Sequence, residues 1–232
     1  MLSVSSCPKT TKMFLLVAAA AAGLLGSLAW FEVSSQHPYT RTQPAHHHQE
    51  SPAVQRPELS GFAAVSREVI SPHTAAPWFR LVDQSGASVT LQDLKGRTVL
   101  LSFLYTNCPE ACPLLTGRYL QLQREFSGAI AKNDLALVFI TTDPQRDTPS
   151  RLLDYTQSQD GKWLFLTGDE ETLSPVWQQY DVYREARKAK EEVVIYHSYR
   201  TYLIDQSGDV QVKYTGVWPS ETVAEDVSKL LD

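Results

Sequence analysis

The hydrophobic positions of the chain fall into three regimes. Met13 to Phe31 is an uncharged apolar run of nineteen residues, long enough at about 1.5 Å per residue to cross a hydrocarbon core of about 30 Å. Residues 34 to about 72 are rich in Pro, Gln, Ser and His and show neither a helical nor a strand period, which predicts a flexible tether. From Pro77 onward the pattern is that of a folded domain. The expected organisation is therefore 1–33 as tip and anchor, 34–72 as tether and 73–232 as domain.

Within the domain, Trp78 to Val82 and Ser88 to Leu91 read as short strands around the turn Asp83-Gln84-Ser85-Gly86. Thr98 to Tyr105 is a continuous apolar run, as expected of a strand covered on both faces. Leu114, Leu115, Tyr119, Leu122 and Phe126 then recur at helical spacing, and Leu135 to Thr141 is the next buried strand, closing a β-α-β unit. Thr148 before Pro149 reads as the cap of a helix over Ser150 to Ser158. A short strand at Trp163 to Leu166 and a helix from about Glu170 to Tyr183 follow. The charge run Arg184 to Glu192 reads as a solvated face or loop. Val193 to Ile204 and Val210 to Tyr214 are expected to pair, and Ser220 is expected to cap a closing helix to Leu231. This layout predicts a thioredoxin-like α/β sandwich.

Composition narrows the class. The chain has 232 residues, 43% of them apolar, and a net charge of −5 with scattered basic residues, so no Lys/Arg stripe offers a footprint for nucleic acid. Lys9 and Lys12 precede the apolar run and place its amino-terminal end inside. Ser27-Leu28-Ala29 resembles a cleavage site, but the run exceeds the usual signal core, which favours an uncleaved anchor. No Arg- and Ser-rich transit segment precedes it, which points to a bacterial envelope, with the domain facing the periplasm.

Cys108 and Cys112 are the only cysteines after the anchor. They fall where the strand to Tyr105 gives way to a helix, at a mouth rather than in a core, where helix N–H groups and the dipole favour thiolate. At helical i, i+4 spacing their Cβ atoms lie roughly 5–6 Å apart, wider than the about 3.5–4.5 Å of a disulfide. A metal spans that pair more easily, and so small a disulfide loop would staple little. Pro109 and Pro113 are tolerated in a first helical turn. His197, at the start of a strand, is the only histidine after His73. Two thiolates and an imidazole suit copper or zinc better than magnesium or calcium. The tract His46-His47-His48 sits in the tether, where three consecutive histidines impose no geometry.

Three motifs occur in order: Cys108-Pro109-Glu110-Ala111-Cys112-Pro113, Asp143-Pro144-Gln145-Arg146-Asp147-Thr148-Pro149, and His197-Ser198 leading into Tyr202-Leu203-Ile204-Asp205. Together they resemble the Sco/SenC copper-metallochaperone family, from about Pro77 to the C-terminus. That resemblance implies that Cys108, Cys112 and His197 hold copper as Cu(I) or Cu(II), that the two cysteines double as a redox-active disulfide, and that Asp143 and Asp147 stand beside the site. It implies a membrane-anchored chaperone for the binuclear copper centre of cytochrome c oxidase subunit II or another copper-accepting envelope protein. Tyr196 departs from the aspartate that the family often has before the histidine. A thiol–disulfide oxidoreductase acting on client cysteines, and a copper-responsive signalling module, are the competing readings.

Overall fold

The computed structural model describes residues 65–108, 111–189 and 192–232. The expected anchor Met13 to Phe31 and the tract His46-His47-His48 lie outside the described residues. Among the described residues no helix is long and apolar enough to cross a membrane.

Ten strands and five α-helices are described, with a 3-10 turn at Leu91–Leu94: β1 (Ser66–Ala75), β2 (Arg80–Val82), β3 (Ser88–Thr90), β4 (Thr98–Leu104), α1 (Ala111–Glu125), α2 (Ser127–Lys132), β5 (Leu135–Thr141), α3 (Pro149–Ser158), β6 (Leu164–Leu166), α4 (Glu170–Gln179), β7 (Arg184–Ala189), β8 (Glu192–His197), β9 (Arg200–Ile204), β10 (Asp209–Thr215) and α5 (Ser220–Leu231). Six strands form the main sheet in the order β1-β10-β9-β4-β5-β6. β4, β5 and β6 run parallel, while β9, β10 and β1 are antiparallel to their neighbours. β2 pairs with β3 and β7 with β8 in two separate ribbons.

Every residue of β4 and β5 is buried, as their unbroken apolar runs require of central parallel strands. Alternate side chains serve opposite layers. Leu100, Leu104, Leu137 and Phe139 pack with Leu115, Tyr119 and Leu122 of α1, Leu152 of α3 and Val223 and Val227 of α5. Val99, Leu101, Phe103, Val138 and Ile140 pack with Phe79, Leu81 and Leu94 before β4 and with Leu173, Val176 and Trp177 of α4. The expected sandwich is thus present, with the end of β4 and the start of α1 at one rim.

Several boundaries differ from expectation for physical reasons. β1 brings residues 66–72, expected in the tether, into the sheet through pairs from Ser66↔Thr215 to Val69↔Val212. Arg67 then clamps this edge strand to α5, its Nε and Nη2 donating to Asp226 at 2.6 and 2.7 Å. α4 stops at Gln179 rather than Tyr183, because Asp181 adopts a left-handed φ of 52° and turns the chain into β7. The charge run is not a loop: Arg184 to Ala189 is a strand paired with β8 from Arg184↔His197 to Ala189↔Glu192. The expected strand over Val193 to Ile204 breaks at Ser198-Tyr199, so His197 ends β8 instead of starting a strand. Thr148 does cap α3, accepting from Arg151 N–H, whereas Ser220 caps nothing and its hydroxyl donates to Gln121 Oε1 at 2.8 Å.

Candidate metal centre

The turn after β4 is fixed from below by Asp147. This carboxylate is fully buried and accepts from Thr106 N–H at 3.2 Å, Thr106 Oγ1 at 2.6 Å and Thr141 Oγ1 at 2.6 Å. Burial pushes its pKa up against these hydrogen bonds. Asp147 thus joins the ends of β4 and β5 and sets the level from which the cysteine turn leaves the sheet. Asp143 is buried as well and pairs with the guanidinium of Arg146. Both aspartates therefore hold the loop beside the turn.

Cys108 precedes the described helix and Cys112 lies in its first turn, so the pair does not share one helix as the spacing suggested. Both are thiols, and both are buried among Tyr105, Leu115, Ile195 and Tyr199 rather than lying at an open mouth. They sit within hydrogen-bonding reach of each other. Burial pushes the Cys112 thiol strongly up, and its neighbour Cys108 adds to this. Desolvation of the anion thus outweighs the helix terminus, contrary to the expected thiolate bias.

His197 reaches this place from β8. Its ring packs on Tyr199 at 4.7 Å between centroids and edge-on to Tyr105 at 5.8 Å. The hydroxyls of the same two tyrosines lie within hydrogen-bonding reach of Cys108, and burial pushes both phenols up in pKa. Tyr105 OH also donates to Ile195 O at 3.1 Å, tying β8 to the end of β4. Cysteines and histidine therefore share one aromatic wall, with Cys108 at the hydroxyls and the imidazole against the rings. Among the described residues no three His, Cys, Asp or Glu side chains converge closely enough to hold a metal ion.

The protonation of His197 follows from its partners. Nδ1 lies 3.1 Å from Ser198 O, and a carbonyl only accepts, so Nδ1 carries the proton and Nε2 the lone pair. Burial pushes the pKa down to about 4, which keeps the ring neutral at pH 7. Nε2 is buried and has no hydrogen-bond partner among the described residues. A neutral imidazole with one nitrogen pinned to a carbonyl and the other bare is the form that ligates metals. Such an imidazole and two cysteine sulfurs are donor types that suit copper or zinc, and binding an ion here requires them to close in from the separation they have in this structure. Tyr196 points the other way, beneath Arg187 at 4.9 Å from its ring centre, because neighbours on a strand alternate faces. The sequence pointed to the ligand candidates but not to Tyr105 and Tyr199, whose only signal was a tyrosine near each ligand motif.

Residues 68–232 match the family model SCO1/SenC. The chain belongs to the SCO1/SenC family. Among curated relatives of this family, an SCO2-like protein of Rickettsia felis is 34% identical over 133 residues, which are 56% of this chain and 64% of the relative. The chain thus spans less than two thirds of that relative's length. The copper-bound structure of ScoI from Bradyrhizobium japonicum is similar with a TM-score of 0.58 and 28% identity, covering 68% of this chain and 99% of that one. BsSco, a Sco family cytochrome c oxidase assembly protein studied for a disulfide switch, gives a TM-score of 0.54 and 26% identity over 71% of this chain and 98% of its own. This SCO1/SenC domain therefore shares the mixed α/β, thioredoxin-like fold of its structural neighbours.

Proposed function

We propose that this protein binds copper through Cys108, Cys112 and His197 and passes it to a copper-accepting protein of the cell envelope. The acceptor is the binuclear copper centre of cytochrome c oxidase subunit II. Met13 to Phe31 anchors the chain in a bacterial cytoplasmic membrane, and the domain faces the periplasm. The observation that carries the reading is the bare Nε2 of a neutral, buried His197, on the aromatic wall that also touches the cysteine pair. The copper carried by the Bradyrhizobium relative and the oxidase-assembly role of BsSco agree with it.

Each residue has a task in this reading. Two thiolates suit Cu(I), and the imidazole helps hold Cu(II). Cys112 gives up its proton as the cation takes over the role that water plays for an exposed thiolate. Asp147 keeps the turn in place through Thr106, while the tyrosine rings keep water from the sulfurs. A thiol–disulfide oxidoreductase is disfavoured, because a buried thiol with a raised pKa is a poor nucleophile. The test is metal analysis and absorption of the domain expressed with copper, beside turnover on a disulfide substrate. Stoichiometric copper with a thiolate-to-Cu(II) charge-transfer band is expected. Disulfide turnover without copper uptake would overturn the reading.

A further inference from the structure

The solvent face of α1 begins one residue after Cys112. Pro113, Leu114, Gly117, Leu120, Gln121 and Arg124, with Arg118 between them, line a shallow groove along about three helical turns. Leu114 is 63% exposed, an unusual cost for a leucine beside a buried site. A Cβ on Gly117 would meet nothing within 4 Å, so the helix is flat there and open to an approaching surface. The two charged residues of the groove are both arginines, on a chain whose net charge is −5. Arg118 donates to Gln121 Oε1 at 3.2 Å and lies near Glu221 of α5. Arg124 has no ion pair or hydrogen bond among the described residues.

We propose that this face of α1 is where the copper-accepting protein docks, and that the matching patch on the acceptor is a small apolar contact rimmed by carboxylates. The inference rests on the copper-transfer reading above and names the surface and charge through which transfer occurs. An apolar contact at Leu114 puts the partner against the turn that carries Cys112. Two positive charges one helical stripe away orient it, because charges at an interface rim act on encounter rate and register more than on final affinity. Pairing of this face with the same face of a second copy would set arginines against arginines, which opposes a symmetric dimer through it.

The experiment follows copper transfer from the loaded domain to the copper-free copper domain of subunit II by stopped-flow absorption, over a range of salt concentrations. R118E/R124E and L114A are compared with wild type, and transfer to a small copper chelator serves as control. The expected result is a wild-type rate that falls with salt, and a rate about tenfold lower in R118E/R124E at low ionic strength that converges with wild type at high salt. L114A is expected to slow transfer at every salt concentration. Copper content, thermal melts and transfer to the chelator should be unchanged in both. Variants that transfer at the wild-type rate would overturn the docking surface while leaving copper transfer intact. A wild-type domain that holds copper yet gives none to this acceptor would refute the acceptor and the docking proposal together. Self-association abolished by the same substitutions would assign the face to a second copy and overturn it.

Discussion

Replacing His197 by phenylalanine separates a ring held for a ligand from a ring held for the fold. In the metal-free domain the substitution removes the Nδ1 hydrogen bond to Ser198 O, worth about 1 kcal/mol. It also removes the bare, buried Nε2, whose desolvation costs about 2 kcal/mol. The contacts with Tyr105 and Tyr199 pass to another aromatic ring, and the one extra ring atom costs roughly 1 kcal/mol in crowding. These terms cancel, so H197F should unfold within about 1 kcal/mol of wild type, a Tm change under about 4 °C for a domain of this size. His197→Ala loses the same hydrogen bond and keeps the relief of Nε2 but empties the ring's place, which costs an aromatic side chain about 3–5 kcal/mol, leaving it about 3 kcal/mol less stable. Both variants should lose Cu(II) affinity by tenfold or more, at least about 1.4 kcal/mol, and keep most of their Cu(I) affinity because both thiolates remain. Urea unfolding of the metal-free proteins and titration with each ion read these outcomes. A loss of several kcal/mol in H197F with unchanged Cu(II) affinity would refute the argument, since the imidazole would then serve the fold alone.

Cys108→Ser should retain the fold, as judged by circular dichroism and a melt near that of wild type, and should fail to hold copper in metal analysis. Asp147→Ala leaves Thr106 N–H and the Thr106 and Thr141 hydroxyls without their acceptor; it should cost about 2 kcal/mol in urea unfolding and weaken copper binding by loosening the cysteine turn. Asp226 is held down to about 2, against the burial that raises it, by hydrogen bonds from Arg67, Tyr214 and Lys229. Its folded pKa lies below the unfolded value, so its contribution is present above about pH 4 and is lost as pH falls from about 4 to 2. With Arg67 partly exposed, this is worth about 1–2 kcal/mol. Asp226→Asn should flatten the pH dependence of unfolding in that window; parallel curves for variant and wild type would refute the assignment.

The strands buried on both faces were legible because their signal is composition alone. Leu135 to Thr141 matches β5 residue for residue, and Thr98 to Tyr105 overshoots β4 by one. β1 was not legible, since nearly all of it is exposed and what makes it a strand is its pairing with β10. β7 is likewise a strand with no apolar stripe, held by β8 and by Arg184, which donates to Thr142 O at 3.0 Å and covers Trp177. The thiol pair and the histidine were readable from residue type and motif. The sign of the local electrostatics was not, because it depends on how deeply Cys112 is covered. The roles of Asp143 and Asp147 were open in the sequence; here the first is spent on Arg146 and the second on Thr106 and Thr141.

The two-strand ribbon of β7 and β8 stands apart from the six-strand sheet, and a ribbon of that size has little stability of its own. It is fastened to the rest of the domain by a few bonds, among them Tyr105 OH to Ile195 O, Arg184 to Thr142 O and Arg184 to Glu170. Breaking these leaves the central strands paired, so the ribbon can open at a free energy well below that of global unfolding. The candidate donors therefore sit on different elements: sulfur on the turn between β4 and α1 and in the first turn of α1, nitrogen at the end of a ribbon outside the main sheet. Hydrogen exchange would register opening of the ribbon as β8 amides exchanging ahead of those in β4, and such an opening would strip a bound ion of one donor while the rest of the domain stays intact.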